Sequence, residues 1–364
     1  MLLSADLKPF VQAEMSQRFY RPELDVLRFG AFFSVFYYHM AFHKDSPGVW
    51  FQAAASAASF GMCLFFVLSS FLITELLLRE KEITGTIHIK SFYIRRILRI
   101  WPLYFAFIAL TWVLGHYAYS WTVTGKTVLS FSLLAGNWYL IHINGRFGGP
   151  LMPLWSISLE EQSVISAALV PVALCSIAFL AHKGWHAYSI WWNSFVQVMF
   201  FGIGALLAIY THVQIQQRSK VDRLLLFLGG VIAWWGGAYL NELAVSVAAP
   251  AFLLMSSYSC AAAGCIAFLF AFLGANPKWP GVLIYLGKIS YGLYVFHVLC
   301  PDVVAQALRT LWPRLPDHGG IYKSVYMTLG LIFTIATAYC SYNWFEKPFL
   351  KWKERFALVQ SRPT

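Results

Sequence analysis

Long apolar runs recur along the chain, separated by short stretches in which Arg, Lys, Asn, Gly and Pro concentrate. Each run is near the ~20 residues that carry a helix across the bilayer's hydrocarbon core. A helix is the expected form, because lipid offers no partner to an open peptide group. The pattern predicts spans near 26–43, 57–78, 98–117, 127–144, 161–181, 189–211, 223–241, 249–273, 289–308 and 324–345. The expected fold class is therefore all-α, a polytopic integral membrane bundle of about ten transmembrane helices. The fourth run holds Asn137, His142 and Asn144, and reads either as a full crossing or as a re-entrant segment buried in protein. Asp6 and Glu14 interrupt the opening stretch, so no signal peptide is expected and the first span starts insertion itself.

Composition strengthens the pattern. Residues are 59% hydrophobic and 18% aromatic, and only 12% are charged, against about 25% charged in soluble domains. Short loops leave three parts: a cytoplasmic N-terminal segment (1–25), a membrane domain (26–347) and a basic cytoplasmic tail (348–364). With the N-terminus inside, only Lys44, Lys126, Lys183, Arg309, Arg314 and Lys323 of the 27 Lys and Arg fall outside. That asymmetry predicts cytoplasmic N- and C-termini. The net charge of +11 is then an orientation signal, and no nucleic-acid partner is expected, since no basic soluble face is formed. The six cysteines all lie in apolar stretches without metal-ligand spacing, as small buried hydrophobes do.

Ionisable groups within spans are costly and usually have a partner and a task. In the first span Asp25 and Arg28 are three apart and can share a helical face. His39 follows Arg28 by eleven positions, which returns to nearly the same face about 16 Å further along the axis. Arg28 reads as a positive-inside anchor or as a grip on a phosphate. His39 reads as a structural histidine or as a proton-transfer group. A His39/His43 metal pair lacks a nearby acid to complete it, and no metal is expected.

A second cluster, Phe92 to Tyr104, carries Arg95, Arg96 and Arg99 at the start of the third span. Three guanidinium groups there repel unless an anion joins them, either lipid headgroups or a polyphosphate. A third cluster, Trp155 to Gln162, contains Ser158, Glu160 and Glu161. It fits a helix capping box with Ser158 as cap and Glu161 reaching back. Alternatively a carboxylate here orients His39 or takes a proton. The adjacent acids point about 100° apart, so one of them faces a site. Ser290 and His297, two turns apart, share a face that reads chiefly as helix packing around Gly292. His116, His142, His182, His186, His212 and His318 lie near span ends and are given no role.

Taken in order, these motifs resemble the acyltransferase-3 family of membrane O-acyltransferases. Arg28 and His39 match its Arg-x10-His signature, Phe92 to Tyr104 its Arg-rich stretch, and Trp155 to Gln162 its Trp-Ser-x-Ser-x-Glu-Glu-Gln element. Ser70 stands where the family's Phe-Phe-Val-Leu-Ser-Gly-Phe-Leu-Ile run has glycine, and is expected to alter close helix packing there. The chain reaches its end soon after Glu346-Lys347-Pro348, so in place of the fused extracytoplasmic hydrolase-like domain of some members it is expected to act alone or with a separate partner.

The resemblance implies a multi-pass protein of the bacterial plasma membrane. It would move an acyl group, acetyl by default, from cytoplasmic acyl-CoA to a sugar hydroxyl of a surface polysaccharide, lipid-linked glycan or glycosylated metabolite. Arg28, Arg95, Arg96 and Arg99 would hold the CoA phosphates. His39, oriented by Glu161, would act as general base or, less directly, as a transient acyl carrier, with Asp25, Trp155, Ser158, Glu160, Ser290 and His297 in support. Acyl-CoA is then a donor substrate and no permanently bound cofactor is expected. The partners are the glycan acceptor and membrane lipids, with homo-oligomerisation left open. The rival reading is a transporter or flippase of a lipid-linked glycan, whose inverted repeats and matching broken helices are not found in the sequence.

Overall fold

Every regular element among the described residues is helical. The computed structural model describes residues 19–41, 49–117, 123–147, 149–162, 170–212, 217–246, 251–275, 277–312 and 320–359. Residues 1–18, His43 and residues 163–169 of the expected fifth span lie outside them. The helices are α1 (Pro22–Ala41), α2 (Val49–Ala57), α3 (Gly61–Thr84), α4 (Ile89–Tyr117), α5 (Gly125–Ser132), α6 (Gly136–His142), α7 (Trp155–Gln162), α8 (Val170–His182) and α9 (Ala187–Trp191). There follow α10 (Ser194–His212), α11 (Lys220–Ser246), α12 (Ala251–Phe272), α13 (Gly281–Lys288), α14 (Ser290–Phe296), α15 (Leu299–Leu311), α16 (Gly320–Cys340) and α17 (Lys347–Glu354).

Among the described residues six helices are long and apolar enough to cross a membrane, and a seventh span arises if α14 and α15, bent by 47°, count as one. α1 is not among the six, since Asp25, Arg28 and His39 lie within it. The expected fourth span is not one helix. α5 and α6 are separated by Leu134, which takes a φ of 56°, and α6 ends in a turn at Asn144 and Gly145. Asn137 is satisfied by protein: it donates to the Trp192 carbonyl at 3.2 Å, and Gln162 donates to the Asn137 side chain at 3.0 Å and the Leu134 carbonyl at 2.7 Å. A broken helix at membrane depth is tolerated where protein surrounds it in this way.

Lipid tails are as apolar as leucine, so helix association in a bilayer depends on close packing through small residues. Gly61 of α3 lies against the Ala31 carbonyl of α1, and Gly287 of α13 against the Asp25 carbonyl. Ser70, the departure from the family's glycine, leaves close packing intact because the small residue stands opposite. Gly204 of α10 sits over the Val67 carbonyl and the Ser70 side chain, and the Ser70 hydroxyl donates to the Phe201 carbonyl at 2.6 Å. Beside them Phe66 stacks on Phe201 at 4.7 Å. The opposite extreme is α11, whose Val221, Leu224, Leu225, Leu228 and Ile232 remain exposed, the apolar flank a lipid-facing helix presents.

The tail is not a free segment. α16 runs through a π-helical stretch, Ser341–Glu346, into α17, which packs along α4. Arg95 of α4 donates to the Phe356 carbonyl at 2.8 Å, fastening the chain beyond α17 to the same helix.

Candidate active site

α1, α3, α4, α7 and α14 enclose a cavity of about 190 Å³. Arg28 is buried in its wall. Five cationic side chains, Arg28, Arg95, Arg96, Arg99 and Lys353, line it against two carboxylates, Glu80 and Glu160. The excess of positive charge suits a polyanion.

The arginines divide into two kinds. Arg95 pairs with Glu80 at 2.8 Å. Arg96, buried, bonds Glu161 through Nε at 3.0 Å, the Glu160 carbonyl through Nη2 at 2.9 Å, and the Glu160 carboxylate at 3.3 Å. The repulsion expected among three guanidinium groups is thus relieved for these two by acids of the protein itself. Among the described residues no ion pair forms at Arg28, Arg99 or Lys353, and Arg99 is exposed within the cavity. These three are the cations left for an anionic ligand.

Of the adjacent acids, Glu160 lines the cavity and accepts from the Ser69 hydroxyl, whereas Glu161 is held by Arg96. Glu161 is therefore engaged with α4, and the group beside His39 is a different one. The capping box is also not formed. α7 begins at Trp155, and Ser158 lies inside it with its hydroxyl 3.1 Å from the Tyr104 hydroxyl and 3.3 Å from the Leu154 carbonyl. Trp155 packs edge-on against Phe66 and Trp191 in the core. Asp25 is buried, and it lines a smaller adjoining cavity together with Arg28.

His39 meets His297. Its Nδ1 lies 2.9 Å from the Val35 carbonyl and 3.3 Å from His297 Nε2, with the rings 4.9 Å apart. His297 Nδ1 lies 2.5 Å from the Tyr294 carbonyl. Carbonyl oxygens only accept, so both Nδ1 atoms carry hydrogen and both Nε2 atoms are bare in the neutral rings. His39 Nδ1–H is then shared between Val35 and His297, leaving His39 Nε2 with a lone pair. His297, which the sequence assigned chiefly to packing, occupies the orienting position.

Tyr294 separates this pair from the cavity. Its ring lines the cavity, lies 5.0 Å from the His297 ring, and is held by its hydroxyl at 2.8 Å from the Pro153 carbonyl and 2.9 Å from Ser156. Ser290 also lines the cavity, one helix face with Tyr294. Sequence reasoning passed over Tyr294, Ser156 and Ser69, though all three lie in or beside the motifs it quoted. Among the described residues no set of three His, Cys, Asp or Glu side chains is grouped to hold a metal.

Comparison with known proteins shows the family. Residues 21–343 match the acyltransferase-3 family, described as "Acyltransferase domain", and the chain belongs to that family. It is 26% identical over 376 aligned residues to a Staphylococcus aureus (strain MSSA476) protein named "Putative O-acetyltransferase", covering 91% of this chain and 58% of the relative. It is likewise 26% identical over 370 residues to the Bacillus subtilis "Putative peptidoglycan O-acetyltransferase YrhL", with 90% and 55% covered. A shorter match, 31% over 153 residues, joins 40% of the chain to 23% of the "Peptidoglycan O-acetyltransferase OatA" of Listeria monocytogenes. The chain thus spans little more than half the length of the first two relatives. No solved structure matches it significantly.

Proposed function

We propose that the protein is a membrane O-acyltransferase of a bacterial plasma membrane. It moves an acyl group, acetyl by default, from cytoplasmic acyl-CoA to a hydroxyl of a surface glycan or lipid-linked sugar. The observation that carries this reading is the cationic cavity lying one tyrosine ring away from a histidine pair with a bare ring nitrogen. The names of the relatives favour acetyl as the group and peptidoglycan among candidate acceptors. In this reading the chain crosses the membrane about ten times, counting α1, the broken α5–α6 segment, the expected span over 161–181 and the bent α14–α15 pair with the six longer helices. Both termini are cytoplasmic, which the Lys and Arg asymmetry supports.

The donor enters from the tail side with its phosphates on Arg28 and Arg99, while Arg95 and Arg96, held by Glu80, Glu160 and Glu161, fix the walls. The pantetheine arm reaches past Ser290 and around the Tyr294 ring, carrying the thioester to the side on which His39 lies. The acceptor approaches His39 from the opposite side. His39 Nε2 takes the hydroxyl proton as the oxygen attacks the thioester carbonyl. The resulting imidazolium is stabilised by Val35 and His297 at Nδ1. Collapse of the tetrahedral intermediate breaks the C–S bond, and the proton passes from His39 to the departing CoA sulfur.

Two measurements test the reading together. Purified His39→Ala protein is expected to lose transfer yet bind CoA as wild type does, because His39 does not line the cavity. Transfer at the wild-type rate by that variant would overturn the role of His39. Absence of any CoA binding to the wild type would favour a transporter instead.

A further inference from the structure

The cavity and its smaller neighbour, about 100 Å³, share Arg28, Leu72, Leu76, Arg99, Tyr291 and Lys353 in their walls. They are therefore two lobes meeting at a ring of three cations. Two of these, Arg28 and Arg99, belong to α1 and α4. The third, Lys353, comes from α17, in the region that the sequence assigns to a simple basic tail.

The position of Lys353 is fixed by more than its own helix. α17 packs on α4, the Phe356 carbonyl accepts from Arg95, and Ala357 and Val359 close one side of the larger cavity. Arg95 also pairs with Glu80, so one guanidinium joins α3, α4 and the tail. This is a built wall and not a loose basic extension. A lysine held half-buried at such a junction, with no ion pair among the described residues, is a point charge awaiting an anion.

We propose that Lys353 binds the 3′-phosphate of the donor nucleotide, which makes the tail helix part of the acyl-CoA site. The inference rests on the donor reading given above. A CoA thioester carries its groups in a fixed order: acyl, pantetheine, diphosphate, then 3′-phosphoadenosine. With the acyl end toward Tyr294, the diphosphate falls at Arg28 and Arg99. The 3′-phosphate then falls outermost, at the cation contributed by the tail. The smaller lobe, whose walls add Arg21 and Lys288 together with Asp25, Glu346 and the aromatic rings of Phe19 and Tyr342, receives the adenosine end, with the 3′-phosphate kept at the lobe junction beside Lys353.

The test is equilibrium binding of CoA and of 3′-dephospho-CoA to the full chain in detergent, which needs no acceptor. Wild type is expected to bind CoA roughly tenfold more tightly than 3′-dephospho-CoA, the size of one charge-assisted contact. Lys353→Met should weaken CoA alone and abolish that difference, and Lys353→Arg should restore most of it. The ligand-free melting temperature of both variants serves as the folding control. Equal binding of the two nucleotides by wild type, or a difference that survives in Lys353→Met, would overturn the assignment while leaving the donor reading standing. If neither nucleotide binds wild type, the donor reading falls and this assignment with it.

Discussion

Arg96 and Arg99 stand three apart on one helix, and their surroundings give them opposite tasks. Arg96 is a structural cation. Its side chain is 6% exposed and bridges Glu161, 10% exposed, and Glu160, 23% exposed. Replacing it with Met leaves two carboxylates without their cation, in a region that supplies little water. Breaking a buried pair in this way typically costs about 3–5 kcal/mol. Because Glu160 is the more exposed acid and keeps the Ser69 hydroxyl, the lower end, about 3 kcal/mol, is expected. Arg99→Met removes a cation with no ion pair among the described residues and relieves its repulsion with Arg28 and Arg96, so stability should change by under ~1 kcal/mol. Thermal melting of both variants in detergent, without ligand, reads the first difference, and CoA titration reads the second. Arg96→Met should melt well below wild type. Arg99→Met should melt normally but bind CoA at least about tenfold more weakly. A normal melt for Arg96→Met, or a loss of stability in Arg99→Met equal to it, would refute the division.

Three further outcomes follow from the packing and the histidine pair. Gly287→Ala places a Cβ 1.9 Å from the Asp25 carbonyl and should lower the melting temperature by an overpacking cost of ~1–3 kcal/mol or more; a normal melt would mean that α13 does not lie against α1 this closely. Gly204→Ala, whose Cβ meets the Val67 carbonyl at 2.3 Å, should destabilise comparably by the same measurement, and a Ser70→Gly background should not relieve it, since the clash is with backbone. His297→Ala should slow acyl transfer roughly tenfold or more with CoA affinity unchanged, because it removes the acceptor at His39 Nδ1. A parallel loss of CoA affinity would place His297 in the donor site instead.

Much of the site was legible because it lies in short motifs of polar residues set in apolar runs. Arg28, Arg99, Glu160 and His39 stand out on that ground alone. What the sequence hides is pairing between motifs distant along the chain. The sequence leaves Glu161 free to orient His39, but Arg96 of another helix claims it. The spacing of His297 from Ser290 reads as packing, but the crossing of α1 and the α14–α15 bend brings it to His39. Ser158 looked like a helix cap because Glu follows three positions later, yet the preceding Met152–Leu154 turn lets α7 begin at Trp155 and places Ser158 inside it. His212, near a span end and given no role, lies between Glu75 and Glu82 at 2.9 Å from each, tying α10 to α3. The apolar pattern placed the long helices well. It was weakest at residues 127–144, where average hydropathy cannot register the positive φ at Leu134 that splits the segment.

The central claim is that acyl groups reach an envelope sugar through His39. It is tested most directly by mass spectrometry of envelope glycans from cells that lack the gene, complemented either with the wild-type chain or with His39→Ala. Acetylated sugars are expected to vanish on deletion, return with wild type and stay absent with His39→Ala. Glycans unchanged by deletion, or acetylation restored by His39→Ala, would contradict the claim.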